Sequence, residues 1–257
     1  IENAIKLARM YTGRHKIITH YRSYHGATYG AISAGGDPRK FPVDAQAVPN
    51  IVHVENPYAY RCPWGTGSIE ECGEMALAHL ERVIKFENPD SIAAILFEGE
   101  SGSSGCIKYP PFYWKKLREM ADQYGILLID DEVMSGFGRT GKMFAIEHHD
   151  TSPDIMCVAK GLTSGYLPLS ATILSEEIYD VISKPQEEGA MFTHGFTYSG
   201  HPVCCAAGLA NIQIMEREDI NGHVRDVGAY FEQQVHSLAD LDIVGDVRGL
   251  KFMMCLE

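Results

Sequence analysis

Ile126-Leu127-Leu128-Ile129-Asp130-Asp131-Glu132 places four consecutive aliphatic side chains ahead of three carboxylates. Successive side chains of a strand point to opposite faces, so an unbroken apolar run over 126–129 predicts a strand over 126–131 that is buried on both sides. Strands of that kind sit at the centre of mainly parallel sheets, where crossover helices hide both faces. The surrounding chain repeats the alternation. Short aliphatic or β-branched runs predict strands at 16–19, 51–55, 91–98, 155–159 and 169–174, and amphipathic stretches predict helices at 69–86, 112–123, 176–182, 202–215 and 221–238. Ile1, Ile5 and Ala8, with Leu7 and Met10 adjoining, share helical spacing at the start. After Leu241 the pattern turns β-rich with glycine, as a second, smaller unit would. The fold class expected is α/β.

The 257 residues carry 34 acidic and 22 basic side chains, a formal net charge of −12, and 45% hydrophobic residues. Domains typically run to about 100–200 residues, so this length holds one large domain or one and a half. The acidic excess argues against nucleic acid and anionic membrane surfaces as partners, because phosphates demand a basic face. No run reaches the roughly 18 apolar residues of a membrane-spanning helix. The seven cysteines (Cys62, Cys72, Cys106, Cys157, Cys204, Cys205, Cys255) are scattered and mostly in apolar runs, which predicts reduced thiols and a cytoplasmic protein. The chain opens at Ile1 within a helical pattern and closes in a strand-like run, Leu250 to Leu256, so it reads as the middle of a longer protein.

Residues 56–73 form a long connection with Pro57 and Pro63, several aromatics and two cysteines, of a length that suits either a functional or interface loop or a surface excursion. Cys62 and Cys72 have no neighbours at metal-ligand spacing, and no metal is expected. Gly136-Phe137-Gly138-Arg139-Thr140-Gly141 matches the dinucleotide pattern G-x-G-x-x-G and, with Lys142, the start of a phosphate loop. Both are declined. Three carboxylates precede the glycines, no long helix opens from them, and Met143 stands where a magnesium-holding Ser or Thr is required. The glycines are read as a turn near a site.

The chemistry is expected elsewhere. Ligands of open α/β sheets bind at the carboxyl ends of the strands. Asp131 ends the central strand, and Lys160 ends the next apolar run, Met156-Cys157-Val158-Ala159. A lysine held by apolar neighbours can lose its proton and form an imine with an aldehyde. Taken alone, a lysine in that place is more often a surface residue closing a strand. Its sequence context decides otherwise.

Four segments in order resemble the class III, ω-amino-acid branch of the pyridoxal-phosphate aminotransferases, and the resemblance extends over essentially all 257 residues. They are Tyr21-Arg22-Ser23-Tyr24-His25-Gly26-Ala27-Thr28, Asp131-Glu132-Val133 with the glycine turn, Ala159-Lys160-Gly161-Leu162-Thr163-Ser164-Gly165, and His194-Gly195-Phe196-Thr197-Tyr198-Ser199-Gly200-His201-Pro202. The resemblance implies a fold-type-I transferase with a large cofactor-binding domain over 1–218 and the beginning of a small α+β domain over 219–257. It also implies pyridoxal 5′-phosphate as cofactor. Lys160 would bind the cofactor aldehyde and later shuttle a proton. Asp131 would face the pyridine nitrogen and favour the protonated ring. Tyr24 would stack on one ring face, with Val133, on the same side of the strand as Asp131, against the other. Glu98 matches a family glutamate near the cofactor. Gly26 would allow close backbone approach, and His25 reads as a structural partner rather than a base. Thr197 would reach the phosphate of the neighbouring subunit, which makes a homodimer, alone or paired into a tetramer, part of the catalytic unit. His148 and His149, without ligand-spaced partners, are expected to be solvated or in the core.

By the same resemblance, the serine-glycine phosphate loop precedes Ile1 and the arginine that commonly grips the substrate carboxylate follows Glu257, so a chain limited to these residues is expected to hold cofactor weakly. Arg248 matches a different family position. Where many relatives read Glu-Pro-Val-Gln-Gly, this chain has Glu98-Gly99-Glu100-Ser101-Gly102, and Ser103 and Met134 stand where ornithine- and γ-aminobutyrate-type enzymes carry glutamate and glutamine. Those departures favour a pyruvate-linked ω-amine enzyme. The loop Pro57-Tyr58-Ala59-Tyr60-Arg61-Cys62-Pro63 looks most like taurine–pyruvate aminotransferases, and an arginine such as Arg61 suits a sulfonate or carboxylate. The expected reaction is amino transfer from an ω-amino acid or amine (taurine, β-alanine or similar) to an oxo acid. A decarboxylase or aminomutase would use the same Lys160 and Asp131, and a truncated scaffold would use neither.

Overall fold

The structure is a computed structural model, and it describes residues 1–184, 192 and 194–257. Six strands, β1 (Lys16–His20), β2 (Ile51–Val54), β3 (Ile92–Glu98), β4 (Leu127–Asp131), β5 (Ile155–Val158) and β6 (Ala171–Leu174), form one sheet in the order β2-β1-β3-β4-β5-β6. All neighbours are parallel except β5 and β6. The aliphatic run that predicted a central strand is β4, paired on both sides. β7 (Val247–Leu250) and β8 (Met253–Leu256) make a separate antiparallel pair in the β-rich tail.

The helices are α1 (Glu2–Thr12), α2 (Tyr29–Ala34), α3 (Ile69–Phe86), α4 (Tyr113–Tyr124), α5 (Glu176–Ile182), α6 (Pro202–Arg217) and α7 (Ile220–His236). Local chemistry sets their ends. The Ser68 hydroxyl accepts the Glu71 N–H and caps α3, with Glu70 and Glu71 in its first turn and Lys85 in its last. α4 stops at Gly125, whose left-handed conformation closes the helix. The short α2 and the 3-10 helix Pro38–Gln46 were not expected. The first is a turn and a half of Gly and Ala-rich sequence, and the second contains prolines, so neither carries a helical apolar stripe.

Strand alternation divides the core. Ile18, Ile95, Phe97 and Leu128 point to one side, against Leu77, Leu80 and Ile84 of α3 and Trp114 and Leu117 of α4. Ile17, Ala94, Leu96, Ile129 and Ile155 point to the other, against Ala4, Ile5, Leu7 and Ala8 of α1 and Ile178 of α5. Each fully buried aliphatic side chain contributes roughly 1.5–3 kcal/mol of transfer free energy, so both faces must be covered for the sheet to persist.

Register brings the strand ends together. Glu98 pairs with Asp131, and Asp131 with Cys157, so β3, β4 and β5 finish level, with Lys160 two residues beyond β5. The glycine stretch after β4 forms turns and opens no helix, as the rejection of a dinucleotide fingerprint requires. The 56–73 connection packs on the tail. Arg61 Nε donates to Glu257 Oε1 at 2.7 Å, the Tyr58 hydroxyl donates to the same carboxylate, and the Arg248 guanidinium lies 4.9 Å from the Tyr58 ring centre. All seven cysteines are free. Among the described residues no helix is long and apolar enough to cross a membrane.

Candidate active site

β1 ends at His20, and the chain turns through Tyr21–Gly26 so that His25 reaches back to the end of β4. Its Nδ1 donates to Asp131 Oδ2 at 2.7 Å, and its Nε2 lies 3.1 Å from Thr19 Oγ1. The second oxygen of Asp131, Oδ1, accepts the Val133 N–H at 3.0 Å. Two donors from different elements therefore fix this buried carboxylate. His25 is the structural partner expected, whereas Thr19 carried no sequence signal beyond being a polar residue following the aliphatic pair Ile17-Ile18 of β1. Gly26 makes the turn possible: its φ is +140°, and a Cβ there would lie 2.9 Å from the Ala31 Cβ.

Alternation separates the three carboxylates that follow β4's apolar run. Asp131 faces the His25 side. Asp130 and Glu132 lie on the other face, both wholly buried, and Glu132 accepts the Ile146 N–H at 2.8 Å and the Ser135 hydroxyl at 2.5 Å. Burial, with Glu132 and Asp131 alongside, pushes the Asp130 carboxyl well up. The sequence reading treated all three as one repulsive group; only Asp131 borders the pocket described next.

Glu98, at the end of β3, accepts the Gly102 N–H at 2.7 Å and faces the Tyr24 N–H at 3.4 Å. Burial raises its carboxyl to about 7, with the neighbouring His25 pulling down and Asp131 pushing up. Tyr24, Glu98, Asp131, Val133 and Lys160 enclose a cavity of about 150 Å³, with Gly26, Ser103 and Met134 also on its wall. A second cavity of about 330 Å³ shares His25, Gly26 and Val133 and runs toward Ile1, Thr28 and Ala159. Six of the seven expected site residues thus meet around one pocket. Thr197 lines neither cavity and is exposed.

Lys160 departs from the expected apolar enclosure, since its side chain is exposed in this chain. Its backbone is held instead. Its φ is +43°, a region seldom adopted by residues other than glycine, so the surroundings must hold it there. Asn211 of α6 does so in part, donating to the Gly161 carbonyl at 2.8 Å and the Leu162 carbonyl at 3.2 Å. Gly161 lets the loop lie on the glycine turn, because a Cβ there would come 2.8 Å from the Phe137 Cβ. Asn211 was missed; a polar residue following the apolar first turns of α6 was its only trace.

Arg61, considered for a substrate acid, is tied to Glu257 and borders neither cavity. His149 is buried 3.5 Å from Glu100, and His148 lies 3.1 Å from Thr140 Oγ1, so both have structural surroundings. Among the described residues no three His, Cys, Asp or Glu side chains gather as a metal site.

The sequence profile described as "Aminotransferase class-III" matches residues 1–257. The chain belongs to the class-III aminotransferases. A probable aminotransferase of Mycobacterium tuberculosis is 40% identical over 265 residues, covering all of this chain and 56% of the relative. Putrescine–pyruvate aminotransferase of Pseudomonas aeruginosa is 39% identical over 242 residues, covering 94% of this chain and 52% of the relative. Among solved structures, taurine:2-oxoglutarate aminotransferase from Bifidobacterium kashiwanohense, in complex with PLP and glutamate, superposes with a TM-score of 0.92 at 40% identity, over 99% of this chain and 57% of that one. This class-III chain spans about half the length of the curated relatives it matches. Class-III aminotransferases use pyridoxal phosphate, and the pocket suits that group. It offers an aromatic ring and an aliphatic side chain as walls, an anchored carboxylate for a ring nitrogen, and a lysine for an aldehyde. Relatives of nearly equal identity are named for different donors and acceptors, so likeness alone selects no subgroup.

Proposed function

We propose that the protein transfers the amino group of an ω-amino acid or amine to an oxo acid, pyruvate first among them, with pyridoxal phosphate as cofactor. What supports this most is the meeting of Asp131, Glu98, Tyr24 and Lys160 around one 150 Å³ pocket at the level ends of β3, β4 and β5. When bound, the cofactor supplies an aldehyde and an electron-withdrawing ring able to stabilise negative charge at the substrate carbon.

The chain's own groups divide the remaining work. Asp131, oriented by His25 and the Val133 N–H, places fixed negative charge where a protonated ring nitrogen is needed. Tyr24 and Val133 are the two walls that hold a flat ring between them. Lys160 is the residue that would hold the cofactor through its aldehyde, and its amine, when free, would take the proton from the substrate carbon and move it. Thr197 completes the phosphate site of the neighbouring subunit in a homodimer. Residues 1–218 make up the cofactor-binding domain and 219–257 open the small one, and the protein works in the cytoplasm.

Ser103 and Met134 support the choice of acceptor. Both border the pocket, and they stand where glutamate-linked relatives would place an acidic switch and a glutamine. Their absence favours pyruvate. The taurine-like loop at 57–63 packs on the tail, so it adds nothing to the choice of donor.

The test uses the full-length protein. Native protein reconstituted with pyridoxal phosphate acquires a visible absorption band, which the Lys160→Ala variant lacks while remaining folded. Taurine, β-alanine, putrescine and aromatic amines are then assayed against pyruvate and 2-oxoglutarate. Pyruvate-dependent turnover is expected. An unchanged band in the variant defeats the proposal, and carbon dioxide release without consumption of oxo acid replaces it with decarboxylation.

A further inference from the structure

His25 holds Asp131, and the His25 ring must itself be held. Torsion about its Cβ–Cγ bond is broad and roughly two-fold, so a half turn would put a carbon in place of Nδ1 beside the carboxylate. Nδ1 is committed to Asp131 Oδ2 at 2.7 Å, which leaves Nε2 as the ring's other polar atom. Thr19 Oγ1 meets it at 3.1 Å.

Thr19 lies in β1 and is wholly buried. It pairs with Leu96, and Leu96 with Ile129, so it sits two residues before the level of Glu98 and Asp131 and on the same face of the sheet. A buried hydroxyl is costly unless it is bonded, and valine would fill nearly the same volume without that cost. Among the described residues, two side-chain atoms come near this hydroxyl, His25 Nε2 and Ser23 Oγ. Ser23 Oγ is 3.5 Å away, beyond the usual O–H···O range of about 2.5–3.0 Å, and its own proton goes to the His20 carbonyl at 2.8 Å. The Thr19 hydroxyl therefore belongs to His25. It can donate to the bare nitrogen of the uncharged ring or, rotated, accept from the N–H of the charged one. In either state Nε2 is satisfied while Nδ1 stays on Asp131. Bulk solvent cannot take over, since none of the His25 side chain is exposed.

We propose that Thr19 is a positioning residue for the cofactor's ring nitrogen: by holding Nε2 of His25 it fixes the Asp131 carboxylate that faces that nitrogen. This rests on the transaminase reading above. Thr19 borders neither cavity, whereas His25 borders both, so its action passes through the histidine.

The experiment uses full-length protein freed of cofactor. Equilibrium dialysis gives dissociation constants for pyridoxal phosphate and for its 1-deaza analogue, in which a C–H replaces the ring nitrogen. Native protein should bind pyridoxal phosphate more tightly than the analogue. Thr19→Val should cut that preference about 3–10-fold, the range for about one hydrogen bond, by weakening pyridoxal phosphate alone. Thr19→Ser keeps the hydroxyl and should stay within about twofold of native. An unchanged preference in Thr19→Val overturns the inference. Equal weakening of both ligands also overturns it, because a residue that merely packs acts on both alike. So does a Thr19→Ser variant as impaired as Thr19→Val. If Thr19→Val does not fold, Thr19→Ala is held to the same outcomes. Native protein that binds both ligands equally overturns this inference alone, and native protein that binds neither overturns the transaminase reading as well.

Discussion

Glu98 shows how a single side chain at the pocket can carry a cost in stability. In the unfolded chain its carboxyl has the ordinary value of 4.5, and in the fold burial raises it to about 7. Below about pH 4.5 both states hold the proton and no penalty arises. Between about 4.5 and 7 the unfolded chain ionises first, so the folded state loses stability as pH rises, and above 7 the loss is constant. The displacement corresponds to on the order of 3 kcal/mol. Glu98→Gln should therefore gain stability relative to native by up to that amount between pH 4.5 and 7.5, read by urea denaturation of the cofactor-free protein. A difference independent of pH would mean that the native carboxyl is solvated. The role of Glu98 as a pocket residue was legible from its place at a strand end. Its titration was not, because that depends first on burial by the folded chain and then on His25 and Asp131, all set by residues far away in sequence.

At the scale of elements, the Lys160 loop is held by two neighbours on opposite sides, the glycine turn after β4 and Asn211 on α6. The sequence made the lysine, and the glycine beside it, conspicuous. It gave no sign that Gly161 must be small for Phe137, since that contact exists only once the turn after β4 and the loop after β5 are adjacent. Gly161→Ala is expected to destabilise the protein by about 1–3 kcal/mol, the usual cost of forcing an extra carbon into a packed contact, and to weaken cofactor retention in parallel. Chemical denaturation and equilibrium dialysis with pyridoxal phosphate check both. A loss under about 0.5 kcal/mol would mean that Phe137 moves aside freely.

For the whole molecule, the question is what lies next to this chain. Thr197 is exposed and lines neither cavity, and its proposed action is on a neighbouring subunit's cofactor. Mixed dimers test it. In a heterodimer of Lys160→Ala and Thr197→Ala subunits, cross-subunit action leaves one complete site, built from the lysine of one chain and the threonine of the other. Unfolding and refolding an equal mixture of the two variants should restore about one quarter of native activity, since about half the dimers are mixed and each has one working site of two. No recovery would place Thr197 in its own subunit's site.

The sequence by itself determined the architecture and pointed to residues that meet around one pocket. The aliphatic run Ile126–Ile129 required a doubly covered central strand, and alternation then placed Asp131 and Val133 on one face. These are local facts, fixed by the two-residue period of a strand and by the need to bury apolar surface on both sides. The tertiary structure decided which groups face one another. His25 meets Asp131 across 106 positions, Asn211 reaches back to the Lys160 loop, and Arg61 turns to the tail. Hydrogen bonds and ring contacts of this kind act over a few ångströms, and chain closure alone sets which distant residues come within that range.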